Sequence, residues 1–296
     1  MEQYNNGKWV PYPHFTESAQ KILSKGQALL KGLSHSSLEA KILFFASASL
    51  SEEKFYSEPG ILLSSAQENK YLHMVKKRLT GVPSAYLTGR KEFWSLSYKV
   101  GPGVLIPRPE TELLVEKAIE LSKGGEEIIA DIGTGCGNIA ISLVKELDRA
   151  KIYATDISKK ALVIARANIL LQGISGITLF CGDLYKPLKK LGLVRKFDFI
   201  ISNPPYVARE DWENLDRGIR DHEPKKALVA GETGLEVIEK LINEGAVFLK
   251  TGGYLIFEIG FGQEKSVRTL FGKEWEKISC FSDLNGISRV FTARKS

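Results

Sequence analysis

The 296-residue chain lacks the features that mark membrane, secreted and disulfide-bonded proteins. No apolar run approaches the length of a membrane span, about 18 residues, and the first six residues lack the basic and then apolar pattern of a signal peptide. Three cysteines without a Cys-x-x-Cys pair argue against a disulfide framework. We therefore expect a cytoplasmic protein that does not span or bind a membrane.

Metal-ligand clusters and hydrolase motifs are also missing from the sequence. The four histidines, His14, His35, His73 and His222, are scattered without the spacing of metal ligands, so we expect them to be structural or surface residues and expect no metal. No Gly-x-Ser-x-Gly segment marks a nucleophilic serine. These absences favour chemistry that needs neither a metal nor a covalent enzyme intermediate.

The composition is that of a globular protein, and the length suggests two domains. Hydrophobic residues make up 43% and charged residues 26% of the chain. Residues 1–90 have helical patterning and predict a small helical domain. Its predicted helices are Phe15 to Leu33, Leu38 to Ser49, Ser51 to Glu58 and Ser64 to Thr80.

From residue 91 the pattern changes to that of an α/β protein. Alternating apolar residues around Gly101-Pro102-Gly103 predict a β-hairpin linker over residues 91–108. Strands and helices then alternate over residues 109–296, and a turn at Asp283-Leu284-Asn285-Gly286 separates the last two predicted strands. We predict an α/β fold, a doubly wound sheet with a C-terminal antiparallel hairpin.

The segment Asn203-Pro204-Pro205-Tyr206, here called the acceptor clamp, directly follows a predicted strand. Its two prolines hold the chain stiff and extended. The Asn203 side-chain oxygen and the Pro204 carbonyl can then accept from one NH2 group, while Tyr206 offers a ring face. Two such acceptors favour an amide nitrogen that gains positive charge in a transition state. The clamp predicts methyl transfer onto a planar nitrogen, although a rigid exit loop would use the same residues.

A glycine loop, Gly133-Thr134-Gly135-Cys136-Gly137, follows the first predicted strand of the α/β region. Its glycines allow a sharp turn and a close approach to a ligand, and its spacing is not that of a dinucleotide fingerprint or a P-loop. Asp156 ends the second strand, where a carboxylate can reach ribose hydroxyls, unless it caps the following helix. Asp183, beside Leu184, ends the third strand and could accept from an adenine amino group or simply form a turn.

Together these motifs resemble those of class I S-adenosylmethionine methyltransferases. More specifically, the chain resembles the protein-(glutamine-N5) methyltransferases of peptide chain release factors, the HemK/PrmC family. Further motifs that carry this resemblance are Leu105-Ile106-Pro107-Arg108-Pro109-Glu110-Thr111-Glu112, Glu223-Pro224 and Glu258-Ile259-Gly260. The resemblance covers about residues 83–294 and implies a Rossmann-like methyltransferase domain over residues 109–296.

The resemblance also implies a cofactor, a substrate and their sites. S-adenosylmethionine would be bound by the residues Gly133, Thr134, Gly135, Cys136, Gly137, Asp156, Asp183, Leu184 and Asn203. Asn203, Pro204, Pro205 and Tyr206 would bind the glutamine side chain of a release factor Gly-Gly-Gln motif, with catalytic roles for Asn203, Pro204 and Tyr206. The helical domain would recognise this protein substrate, and we expect a monomer.

Two further features bear on the partner. The segment from Val207 to Thr233 is long and charged, and we predict a mobile flap beside the acceptor pocket, or else a solvated insertion. Residues 1–95 carry a net charge of +4 out of +6, with Lys76-Lys77-Arg78 as the tight cluster, which could grip a partner or be a solvated helix face.

Two other functions share part of this pattern. An adenine-N6 methyltransferase would use the same acceptor clamp, but the chain lacks the strong basic stripe of a nucleic-acid enzyme, so direct nucleic-acid binding is not expected. A non-catalytic assembly factor that binds S-adenosylmethionine would keep the glycine loop without needing the clamp. The prediction is therefore an enzyme acting on a protein amide.

Overall fold

The computed structural model describes residues 2–5, 8–11 and 15–296, with side chains from residue 17 onward. The chain forms two compact units, Met1–Gly89 and Arg90–Ser296, and each is described by itself. The predicted surface or structural role of His14 concerns a position outside the described residues.

The first unit consists mainly of helices around an aromatic core. Phe44 and Tyr71 are fully buried, with their rings edge to face and 5.4 Å between centroids. A Cβ atom at Gly26 would lie 1.8 Å from the Tyr71 hydroxyl oxygen. Glycine at this position therefore lets its helix pack closely against the helix that contains Tyr71. The elements are β1 Glu2–Asn5, β2 Lys8–Pro11, β3 Phe15–Ser18, α1 Ala19–Leu30, α2 Ser36–Ala48, α3 Glu52–Ser57, β4 Leu62–Ser64, α4 Ser65–Leu79 and α5 Ser84–Thr88.

Serine residues set where three of these helices begin. Ser18, Ser51 and Ser64 each accept a hydrogen bond from the backbone N–H three residues later, at 3.4, 3.2 and 3.3 Å. The predicted helix from Phe15 to Leu33 is therefore wrong at its start. Residues 15–18 form β3, which pairs with β4, and the helix begins only after the Ser18 cap.

The basic cluster Lys76-Lys77-Arg78 lies in the last turn of α4. The negative end of the helix dipole favours positive charge at this position. Arg78 also donates to Glu39, with an N–O distance of 3.0 Å. At least one member of the cluster therefore holds the helices of the first unit together.

The second unit contains a seven-stranded sheet with helices on both faces and two further strand pairs outside that sheet. Its strands are β5 Arg90–Phe93, β6 Leu96–Lys99, β7 Ile128–Ile132, β8 Lys151–Asp156, β9 Ile177–Cys181, β10 Phe197–Ser202, β11 Val207–Ala208, β12 Val229–Gly231, β13 Leu249–Glu258, β14 Trp275–Ser282 and β15 Ser288–Lys295. Its helices are α6 Glu112–Leu121, α7 Asn138–Glu146, α8 Lys159–Leu171, α9 Lys186–Lys190, α10 Arg217–Arg220, α11 Glu236–Phe248 and α12 Glu264–Arg268.

The sheet has the strand order β14-β15-β13-β10-β7-β8-β9. The five strands from β13 to β9 run parallel, while β15 and β14 are antiparallel to their neighbours. Alternate residues of β7 face opposite layers, with Ile129 packing on α6 and α7 and Ala130 on α11. The predicted doubly wound fold with its C-terminal antiparallel hairpin is confirmed.

The hairpin before this sheet turns at a different place from the one expected. Strands β5 and β6 pair from Arg90↔Lys99 to Phe93↔Leu96, so the turn falls at Trp94 and Ser95 rather than near Gly101-Pro102-Gly103. Both turn residues have positive φ, 50° and 57°. This is the left-handed backbone that a two-residue hairpin needs.

The segment between β10 and α11 folds back on itself. Parallel pairing of β11 with β12 joins its two ends, and short helical turns at Glu210–Asn214, α10 and Lys225–Ala227 fill the space between them. Its movement as a flap stays a prediction. Across the described part of the chain no helix is long and apolar enough to cross a membrane.

Candidate active site

The acceptor clamp and the glycine loop begin at neighbouring strand ends. Ile201 of β10 pairs with Asp131 of β7, and the Ser202 hydroxyl donates to the Ile132 carbonyl oxygen over 2.7 Å. Because both strands run in the same direction, the residues that follow them emerge at one edge of the sheet. The two predicted sites therefore lie side by side.

The glycine loop turns sharply at the end of β7. Gly133, Gly135 and Gly137 have φ values of 78°, 57° and 84°, which L-residues rarely adopt. The backbone N–H groups of Gly133 and Thr134 both donate to the Thr155 carbonyl oxygen over 2.9 Å. A Cβ atom at Gly133 or Gly135 would have no heavy atom within 4 Å, so this side of the loop is open to a ligand.

Gly137 and Cys136 turn inward instead. A Cβ atom at Gly137 would lie 3.3 Å from the Ala165 Cβ of α8. Cys136 is buried, and burial raises the pKa of its thiol to about 12, so it stays protonated and is not a nucleophile. The Cys136 carbonyl accepts from the Asn168 Nδ2 over 2.9 Å, so the backbone of this residue fixes the loop against α8.

Asp156 links the end of β8 to the glycine loop. Its Oδ2 accepts from the Gly135 N–H over 2.9 Å, and its Oδ1 from the Ser158 N–H over 2.7 Å. Burial raises the pKa of Asp156, and these two hydrogen bonds oppose the rise. The cap of α8 is Ser158, whose side chain accepts from the Ala161 N–H over 3.2 Å, so Asp156 is left to act at the loop.

Asp183 and Leu184 follow β9 at the same edge of the sheet. Leu184 has a φ of 45°, and its carbonyl accepts from the Thr155 hydroxyl over 3.1 Å. The Asp183 side chain is 43% exposed and pairs with Lys186 over 2.8 Å. Leu184 is therefore held against β8, while the Asp183 carboxylate lies at the surface.

The acceptor clamp lines a small cavity. Its wall consists of Leu105, Asn203, Pro204, Pro205, Tyr206, Ala227 and Leu228. The Tyr206 backbone N–H donates to the Leu228 carbonyl over 3.1 Å, and the Tyr206 carbonyl accepts from the Gln263 side chain over 2.9 Å. The clamp is thus held on both sides, and the far wall comes from the segment predicted to form the flap.

Two buried residues that contact the clamp, Thr111 and Glu258, had not been predicted as site residues. Asn203 Nδ2 donates to Thr111 Oγ1 over 2.9 Å, and this hydroxyl donates to Glu258 Oε2 over 2.7 Å. The Tyr206 hydroxyl donates to Glu258 Oε1 over 3.0 Å. Burial raises the pKa of Glu258, while the hydrogen bonds from Thr111 and Tyr206 and the charge of Arg289 oppose the rise. Thr111 and Glu258 both lie in motifs that carried the family resemblance, and this was the sequence feature that could have identified them as site residues.

A second missed contact fixes the Leu105 wall of the cavity. Glu223 is 5% exposed, and its Oε1 accepts from Arg108 Nη2 over 2.5 Å. Its Oε2 accepts from the Ile106 backbone N–H over 3.0 Å. One carboxylate therefore ties the segment before α6 to the segment after α10.

The site also contains a buried acid at the end of β7. Asp131 is fully buried, and its Oδ2 accepts from the Thr134 hydroxyl over 2.6 Å, while its Oδ1 has no hydrogen-bond partner. Burial raises the pKa of Asp131 to about 7, and the charge of Asp156 adds to the rise. No sequence motif had indicated a role for Asp131.

The structure therefore places an open glycine loop at the same edge of the sheet as a cavity lined by the residues of the acceptor clamp. Among residues 17–296, no three His, Cys, Asp or Glu side chains come together in a way that could hold a metal ion. The available groups are hydrogen-bond acceptors and an aromatic ring. They suit positioning and electrostatic stabilisation of a nitrogen.

Two family models match the sequence. Residues 109–217 match the methyltransferase small domain, and residues 21–89 match the PrmC N-terminal domain. The first match covers the glycine loop, Asp156 and the acceptor clamp. The second falls within the helical unit.

Curated relatives and a solved structure extend the comparison. The release factor glutamine methyltransferase of Coxiella burnetii is 38% identical over 87% of this chain and 91% of that protein. The protein of the same name from Moorella thermoacetica is 39% identical over 81% and 83%. The structure of the T. thermophilus 16S rRNA N2 G1207 methyltransferase with AdoMet and guanosine is 16% identical, covers 70% of this chain and 50% of that chain, and has a TM-score of 0.51. That likeness concerns the fold alone.

Proposed function

Because the chain belongs to the release factor glutamine methyltransferase family, we propose that it methylates the side-chain amide N5 of the glutamine in the Gly-Gly-Gln motif of peptide chain release factors. The methyl donor is S-adenosylmethionine. The observation that carries the proposal is the position of the acceptor clamp at the strand end next to the glycine loop. This arrangement sets an NH2 group beside the donor.

The residues of the glycine loop fit S-adenosylmethionine. Open space beside Gly133 and Gly135 leaves room for the ligand, and Asp156 stands at the strand end where a carboxylate accepts from ribose hydroxyls. The bound cofactor supplies an electrophilic methyl group on a sulfonium. The other residues proposed to bind it are Thr134, Cys136, Gly137, Asp183, Leu184 and Asn203.

The acceptor clamp holds the amide nitrogen for transfer. Since the Asn203 Nδ2 donates to Thr111, its Oδ1 is free to accept from the substrate NH2 group together with the Pro204 carbonyl. These interactions strengthen as the nitrogen gains positive charge. Pro205 and the Tyr206 ring line the cavity around the flat amide.

Replacing Asn203 tests the clamp. We expect Asn203→Ala to abolish methyl transfer to a release factor, measured with tritiated methyl donor, while cofactor binding measured by calorimetry changes little. The matched control is Asn243→Ala on the exposed face of α11, which should keep wild-type transfer. Near-normal turnover of Asn203→Ala would refute the clamp mechanism.

Replacing Asp156 tests the cofactor site independently of the acceptor clamp. Asp156→Ala should weaken cofactor affinity, because the loop loses the carboxylate that holds Gly135.

Offering release factor and DNA side by side identifies the acceptor. Mass spectrometry should find one added methyl group on the glutamine of Gly-Gly-Gln, whereas label in DNA alone would favour an adenine-N6 methyltransferase and contradict the proposal.

A further inference from the structure

Thr111 and Glu258 join two members of the acceptor clamp in one buried network. The chain of hydrogen bonds runs from Asn203 through Thr111 to Glu258, and Tyr206 donates to the other oxygen of the same carboxylate. Thr111 and Glu258 are each 2% exposed. Water therefore does not compete for these bonds, and losing one leaves a buried polar group without a partner.

The carboxylate gives this network a direction. Thr111 and Tyr206 each donate a hydroxyl proton to Glu258, whose carboxylate form has no proton to give in return. The Thr111 hydroxyl has one proton, which it donates to Glu258, and only its lone pairs remain for Asn203. A lone pair can face the NH2 end of the Asn203 amide but not its oxygen.

We propose that Thr111 and Glu258 are positioning residues that decide which end of the Asn203 amide faces the acceptor. The two ends have nearly the same shape, so packing alone does not choose between them. With Nδ2 bound to Thr111, Oδ1 is presented to the cavity and can accept from the substrate NH2 group. A flipped amide would set two donors against each other. This inference rests on the proposed function, which supplies the NH2 substrate.

Activity measurements test the consequence. Thr111→Val keeps the shape but removes the hydroxyl, and Glu258→Gln gives the carboxyl position a donor that can reverse the network. Both variants should lower kcat at least about tenfold, the scale of one lost hydrogen bond, with a smaller change in KM because the interaction grows in the transition state. Thr111→Ser keeps the hydroxyl and should restore most of kcat.

A nuclear magnetic resonance measurement tests the orientation without any substrate. In full-length protein labelled with 15N-asparagine, the Asn203 side-chain NH2 signal, assigned by its loss in Asn203→Ala, should be shifted by its bond to Thr111. Thr111→Val and Glu258→Gln should move this signal towards that of a free amide, and Thr111→Ser should not. If wild-type protein shows the shifted signal yet methylates no release factor, the proposed function fails while the network stands.

The control separates positioning from stability. Ser142 lies on α7, and its buried hydroxyl forms a hydrogen bond of 2.9 Å with the Tyr98 hydroxyl. Ser142→Ala should therefore lower thermal stability without changing kcat or the Asn203 signal. The inference is overturned if Thr111→Val keeps wild-type kcat, or if its Asn203 signal is unchanged. An equal loss of kcat in Thr111→Ser and Thr111→Val would also overturn it.

Discussion

Asp131 is the penultimate residue of a central strand, and one of its carboxyl oxygens is buried without a hydrogen-bond partner. An ionised carboxylate is costly in such a place, because the hydrogen bond from Thr134 replaces only part of the lost hydration of the charge. This explains why the pKa of Asp131 rises to about 7. The folded protein therefore holds a proton here that the unfolded chain has already released.

This difference predicts a pH dependence of stability. In cofactor-free protein the free energy of unfolding should fall as pH rises from about 4 to about 7, with a slope of up to about 1.4 kcal/mol per pH unit from this group. The sign follows because the folded pKa is raised, so the folded state binds more protons in that window. Urea unfolding of wild type and Asp131→Asn should show this slope lost in the variant, and parallel curves would contradict it.

At the scale of single residues, the sequence predicted the groups whose chemistry is visible in a short motif. Proline stiffness and the acceptors of Asn203 can be read from four adjacent residues. Thr111 and Glu258 could not be assigned in this way, because they stand 92 residues before Asn203 and 52 residues after Tyr206. Only the folded sheet brings them together.

The β5–β6 hairpin shows how contacts between elements override local preference. A two-residue turn with two positive φ values normally favours Asn-Gly, but this one has Trp94 and Ser95. Glu112 accepts from the Trp94 backbone N–H, and Glu146 from its indole N–H, both over 2.7 Å. These contacts hold the turn, so the glycine-rich segment that local sequence favoured was the wrong place for it.

Substituting the turn residue tests this explanation. Ser95→Gly removes the strain of a positive φ and should stabilise the protein by about 0.5–1 kcal/mol. Ser97→Gly in the extended strand β6 is the control and should be destabilising instead. Denaturant unfolding would measure both changes, and a loss of stability in Ser95→Gly would show that the serine side chain matters to the turn.

The two units have separate hydrophobic cores. The helical pattern of the first unit and the alternation of strands and helices in the second were both readable from periodicity. Helix ends were less predictable, since the start of α1 depends on one serine cap. The order of the strands in the sheet was not predicted, because it depends on pairing between segments far apart in the chain.

Separating the units should divide binding from substrate choice. We expect a fragment of residues 90–296 to fold and bind S-adenosylmethionine with nearly the affinity of the full chain, because all proposed cofactor residues lie within it. Methylation of intact release factor should fall much more than methylation of a short Gly-Gly-Gln peptide. If the fragment methylates both intact release factor and the peptide as fast as the full chain does, the helical unit does not recognise the protein substrate.

The contact between Arg108 and Glu223 has a consequence for how the protein folds. The two residues are 115 positions apart in the chain, and joining such distant segments costs closure entropy before any contact repays it. Helices and strand pairs that are close in sequence, such as β7 with β8, can form first, whereas the cavity wall forms only when its remote segments meet. During refolding, cofactor affinity should therefore return before the ability to accept a glutamine does.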